Sequence, residues 1–98
     1  MRFIWNAEKS AWTLRQRGFS FADATRVFDD PLRWIERARS KDGEERWLTI
    51  GALDPVSRLV AVIYTEKEIH DKKTIRIISA RPASGQECRK IARRNAQD

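Results

Sequence analysis

The residues of this chain best equipped for chemistry are cations. Arg46, Lys67, Arg76 and Arg81 fall on or at the ends of the three C-terminal strand-like segments, and "RIISARPA" (76–83) carries Arg76 and Arg81 around a strand-like run. Brought together on a sheet, such groups would stabilise negative charge developing on a phosphate. One reaction such equipment could serve is metal-independent cleavage of RNA by its own 2′-hydroxyl. It needs a proton acceptor, a proton donor and cations for the charged phosphorane. Cations supply the last of these. Alternation within an ideal strand groups Arg76 with Ile78 and Ala80, and Arg81 with Ile77 and Ser79, so the two point to opposite faces. Either one of them is solvated surface charge, or the strand ends by Ala80 and Arg81 turns at the junction with Pro82. Solvated strand-edge arginines explain the residues as well as a site does; between the two, Pro82 makes Arg81 the better site residue and leaves Arg76 for the opposite face.

Other catalytic patterns are missing. The chain has no Gly-rich phosphate loop, no Cys/His cluster at zinc spacing and no nucleophile elbow, so no metal site and no cofactor is expected. His70, the one histidine, lies in the charged stretch EIHDKK and reads as a solvated surface residue before it reads as a general base. Cys88 reads as a small apolar residue facing the sheet.

These residues need a scaffold, and 98 residues suffice for one domain, 1–98, with no linker or repeat to divide it. Twenty Lys and Arg against 14 Asp and Glu give a net charge of +6, which favours polyanionic partners through counterion release. A single cysteine forms no internal disulfide and suits a reducing cytoplasm. The apolar start MRFIW is too short for a signal peptide or a span, and no other run approaches membrane length.

The pattern predicts the elements in order. MRFIW is a short strand, Asn6 caps a helix that stops near Gly18, and Ser20-x-x-Asp23 opens a second helix that finishes by about Asp29, before Pro31. LRWIERARS and ERWLTIGAL flank Asp42-Gly43 as a hairpin, and DPVS is a second turn. RLVAVIYT is apolar on both faces and belongs in the middle of a sheet. EKEIHDKK is a loop or a strand extension, TIRIISA is the last strand, and Pro82 sets up a helix ending near Arg94. The result is an α+β fold, β-α-α-β-β-β-β-α, with a four- to five-stranded antiparallel sheet, two helices on one face and a C-terminal helix. Something must cover the other face of RLVAVIYT: the C-terminal helix or, as we expect from the two-sided apolar strand, a partner chain.

The segments SFADATRVFDDP, GEERWLTIG, VAVIYTEK and IRIISARPA, in that order, resemble the BrnT toxins, the ribonuclease halves of bacterial BrnT–BrnA toxin–antitoxin pairs, with a RelE-like fold. The resemblance spans nearly the whole chain. It implies an RNA-cleaving type II toxin, an RNA substrate, and a small DNA-binding BrnA-like antitoxin that neutralises it within a homodimeric or heterotetrameric assembly. By the same resemblance Arg81, Arg76 and Lys67 are the catalytic candidates, and Arg17, Arg46, Lys67, Arg76 and Arg81 the RNA-binding ones. Arg46, Arg76, Arg81 and Glu87 match the family. Departures fall at Gln16-Arg17-Gly18, where the family usually reads Lys-His-Gly, at Lys67 in place of an arginine, at Glu87-Cys88 in place of Glu-Arg, and at Ile91 in place of a tyrosine. A guanidinium keeps its proton at neutral pH, so Arg17 replaces a group able to move protons with one that only carries charge. Two alternatives follow: a catalytically weakened protein that acts as a protein- or nucleic-acid-binding module, and a plain nucleic-acid-binding domain.

Overall fold

The computed structural model describes residues 1–54 and 58–97. The strands are β1 (Arg2–Trp5), β2 (Trp34–Lys41), β3 (Glu44–Ala52), β4 (Leu59–Ile69) and β5 (Lys72–Pro82). The helices are α1 (Ala7–Arg17), α2 (Phe21–Ala24), which continues as a 3-10 helix over Thr25–Asp29, and α3 (Gly85–Ala96). The element order and α+β class are those expected from the sequence. Asn6 accepts from the Lys9 amide, Gly18 ends α1 in the left-handed conformation, and Ser20 with Asp23 forms a reciprocal capping box. The DPVS turn lies mostly outside the described residues. Among the described residues no helix is long and apolar enough to cross a membrane.

All five strands form one sheet in the order β1-β5-β4-β3-β2. The meander β2 to β5 is antiparallel, but β1 pairs parallel to β5, so the sheet is mixed. The stretch EKEIHDKK is strand extension: β4 runs to Ile69, β5 starts at Lys72, and His70 and Asp71 make the turn between them with positive φ, 53° and 65°. Asp42 and Gly43 do the same for the β2–β3 hairpin, as expected.

One face of the sheet packs on α1, α2 and the 3-10 helix through Phe19, Phe21, Ala24, Val27, Val60, Val62, Tyr64, Ile75, Ile77 and Ala80. On the other face the apolar patch of Leu48, Ile50 and Ala61 is covered by the chain's own α3, through the buried Ile91, contrary to the expectation of a partner. Arg94 closes the far end of α3, its guanidinium stacked over the Trp34 ring and bonded to the Leu32 carbonyl. Pro82 differs from expectation too. It is the last residue of β5, opposite Val60, and the helix begins three residues later behind its own cap, Ser84.

Candidate functional site

The site is built on an irregularity of β5. Pairing with β4 runs regularly from Lys72 to Ile77 and again from Ser79 to Pro82, but Ile63 faces Ser79 while the adjacent Tyr64 faces Ile77. Ile78 is therefore an extra residue, a bulge that resets the alternation. Before it, Ile75 and Ile77 point to the α1–α2 core; after it, Ala80 does. Arg76, opposite Thr65, and Arg81, opposite Ala61, consequently share the α3 face. The expectation that they point to opposite faces, or that Arg81 must leave the strand, fails for this one reason.

The other two sheet cations lie on the same face. Lys67 pairs with Thr74, in phase with Arg76, and is exposed. Arg46 pairs with Ala38, in phase with Leu48 and Ile50. Arg46 is half-buried, with its Nε enclosed and lacking a hydrogen-bond partner. Arg76 donates from Nε to Thr65 Oγ1 at 3.4 Å and forms an ion pair through Nη2 with Glu44 at 2.6 Å, reaching across β4. Arg46, Thr65 and Arg76 thus form a row across three strands.

Arg81 stands apart from that row. Its β4 partner is four residues from that of Arg76, about 13 Å along a strand, and the two guanidinium groups are held by different carboxylates. Its guanidinium forms a fork on Glu87, Nη1 to Oε1 at 2.7 Å and Nη2 to Oε2 at 3.0 Å. Glu87 also accepts from the Ser84 amide as the acidic half of the α3 capping box. The Arg81 bonds, with help from Ser84, hold the Glu87 carboxyl down at about 2 and raise Arg81 above its usual value. Two N–H groups of Arg81 are spent on this fork and Nη1 also reaches the Pro82 carbonyl at 3.4 Å; a guanidinium has five, so it keeps donors for a phosphate while Glu87 fixes its plane.

Arg17 arrives from the opposite side. β1 leaves β5 after the Trp5–Ile77 pair, so the rest of β5 has an edge that β1 does not cover. Arg17, last residue of α1, donates from Nη1 to the Ala80 carbonyl at 2.7 Å across that edge and stacks 5.1 Å from the Trp12 ring centre. It is anchored one residue from Arg81. The five predicted residues therefore form two groups, Arg46, Lys67 and Arg76 in mid-sheet and Arg17 with Arg81 at the end of β5. The resemblance marked Glu87 as matching the family but gave it no role, and sequence reasoning did not place Glu44, Thr65 or Trp12 in the site. The Ser84-x-x-Glu87 capping box just after Arg81 is a local signal for Glu87; Glu44 and Thr65 enter only through strand register.

Remaining proton-transfer candidates lie elsewhere. Tyr64 is buried against Phe28 in the α1–α2 core, and burial raises its pKa. His70 sits at the β4–β5 turn, just past the end of β4 and nine residues from Ala61, the partner of Arg81, or about 30 Å. Position 91 supplies an apolar anchor for α3, not a hydroxyl.

With this geometry established, the family comparison is decisive. A family model described as "Ribonuclease toxin, BrnT, of type II toxin-antitoxin system" matches residues 5–87. The chain belongs to the BrnT family. That match spans strands β2 to β5, the bulge and Arg81, and ends on Glu87, so both members of the Arg81–Glu87 fork lie within the BrnT region. Membership implies an RNA substrate and an antitoxin partner. Comparison with curated proteins finds no match.

Proposed function

We propose that this BrnT-family chain is a metal-independent endoribonuclease whose scissile phosphate sits at Arg81. Arg76, Arg46 and Lys67 hold flanking phosphates on the same sheet face, and Arg17 contributes charge from the β5 edge. The observation that carries this is the Ile78 bulge, which turns Arg76 and Arg81 to one side about 13 Å apart, a spacing for different phosphates of one strand. In the reaction the RNA 2′-oxygen bonds to phosphorus, the bond from phosphorus to the 5′-oxygen breaks, the 2′-hydroxyl loses its proton and the departing 5′-oxygen gains one. Arg81 stabilises the extra charge on the non-bridging oxygens. A BrnA-like antitoxin would neutralise the toxin by placing acidic groups on this face.

The proton acceptor is the weak part of this site. Glu87, held near 2, is a poor base, and Arg17 does not give up its proton. Solvent hydroxide then has to do the work, and cleavage is slow and rises steadily with pH without the bell-shaped profile of a paired acid and base. Purified protein incubated with RNA in EDTA should cut it, and Arg81→Ala should lower the rate by about 10²- to 10³-fold. If the parent and Arg81→Ala leave the same products at the same rate, Arg81 is not at the scissile phosphate.

A second reading has its own support. The Arg17 guanidinium is committed to the Ala80 carbonyl and Arg81 to Glu87, an arrangement that also suits a binding module that has lost catalysis. Expression without antitoxin separates the two: growth arrest that Arg81→Ala relieves supports the nuclease, whereas harmless expression with tight antitoxin binding supports the module.

A further inference from the structure

We propose that the cleft at the free edge of β5 receives one unstacked nucleobase of single-stranded RNA, with Trp12 as its stacking platform; this rests on the RNA reading above. The cleft has a volume of about 300 Å³ and lies between α1 and β5. Lys9, Trp12 and Arg17 line it from α1, Ile78 and Ser79 from β5, and the buried Phe21 lies behind. Its size is at the lower end for small-molecule sites, room for one base and not for a base pair.

Three features fit a base in particular. Trp12 is 47% exposed although it borders the cleft, so a large aromatic surface is left to water where a planar ligand would cover it. Arg17 stacks on Trp12 while held to Ala80, which pre-sets the wall that base–aromatic and guanidinium stacking would use. At Ile78 and Ser79 the strand is past the last β1 pair and interrupted by the bulge, so its cleft-side edge has no β1 partner and is open to the hydrogen-bonding edge of a base. Lys9 and Arg17 give the rim a positive charge suited to the attached phosphate. The cleft opens at the β5 edge one residue along the strand from Arg81 but on the α1 side, so an RNA strand that reaches both would pass around that edge. A base held there would fix which nucleotide lies at Arg81, making Trp12 a specificity residue and not a catalytic one.

The test is binding of the full chain to a 2′-O-methyl RNA oligonucleotide, which has no attacking hydroxyl, and to an abasic strand of the same length. Trp12→Ala should weaken binding to the base-bearing strand about tenfold, while Trp12→Phe should keep it within about threefold. Neither substitution should alter binding to the abasic strand. Equal affinity of the unmutated protein for both strands would overturn the proposal without needing any variant. So would a Trp12→Ala loss that is the same for both strands, or competition by an acidic peptide that matches the base-bearing strand. The readout does not depend on cleavage: base-dependent binding with no RNA cut would count against the nuclease reading and leave the base site standing.

Discussion

The Arg81–Glu87 fork shows how a charged residue is prepared for a phosphate. A lone arginine on a strand has rotamer freedom to lose on binding; here the carboxylate has already fixed the guanidinium plane, and with one further N–H on the Pro82 carbonyl, two donors remain for a phosphate. What the site lacks is a group that exchanges protons near neutral pH. Arg17 occupies the position where BrnT toxins usually carry histidine, and its guanidinium ends one residue from Arg81. Arg17→His should therefore raise the cleavage rate, by about 10²-fold if the imidazole reaches the 2′-hydroxyl, since positioned acid–base groups contribute 10² to 10⁴. It should also replace the steady rise with pH by a profile that bends near the histidine pKa. Single-turnover rates on one RNA between pH 5 and 9 would check both, and an unchanged rate and profile would mean that position 17 does not face the reacting atoms.

Element by element, local signals explain most of the fold and the non-local ones explain what was missed. Asn6, Gly18, the Ser20–Asp23 box and Asp42-Gly43 act on their nearest neighbours, so the sequence shows them directly. The His70–Asp71 turn is hidden because neither residue is glycine, yet both take positive φ. The Ile78 bulge has no signature at all in IRIISAR: an apolar residue looks like any other until the register with β4 is known, and the register decides which face Arg81 joins. The parallel docking of β1 on β5 is similarly a long-range event. α3 follows the same division, for its cap is legible while its role as cover for the sheet depends on Ile91 reaching Leu48, Ile50 and Ala61. Its attachment should depend on pH. The carboxyl of Glu87 is lowered from 4.5 to about 2 in the fold, so the fork stabilises the protein fully above about 4.5 and is lost as pH falls towards about 2. Arg81 is 38% exposed, and solvent screening reduces the contribution to about 1 kcal/mol, or roughly 4–8 °C in Tm for a domain of this size. Glu87→Gln should lower Tm by that amount at pH 7 and flatten the acid limb between pH 4.5 and 2; melting curves in which parent and variant fall in parallel through that window would show that the fork does not hold α3.

At the scale of the whole molecule, the surplus of positive charge is divided between two uses. Arg17, Arg33, Arg37, Arg58 and Arg94 each lie over an aromatic ring, at 5.1 to 5.9 Å from its centre, where the guanidinium packs as much as it charges. Arg46, Lys67, Arg76 and Arg81 instead gather on one sheet face, between the α3 end and the β4–β5 hairpin. Net charge alone does not distinguish these two sets; position on the sheet face does. Salt titration does distinguish them. Each phosphate contact to a single strand releases counterions and contributes a slope of about −0.7 to a plot of log affinity against log salt concentration, so four contacts give about −2.8. Arg76→Ala and Lys67→Ala should each make that slope shallower by about 0.7 on any RNA sequence. Arg37→Ala removes the same unit of charge, but its side chain lies over Trp47 and pairs with Glu45, and Trp47 is aligned with Tyr64 on the opposite face. Its slope should match the parent. If all three substitutions shift the slope alike, the attraction comes from net charge at a distance and not from contacts along the face that carries Arg76 and Arg81.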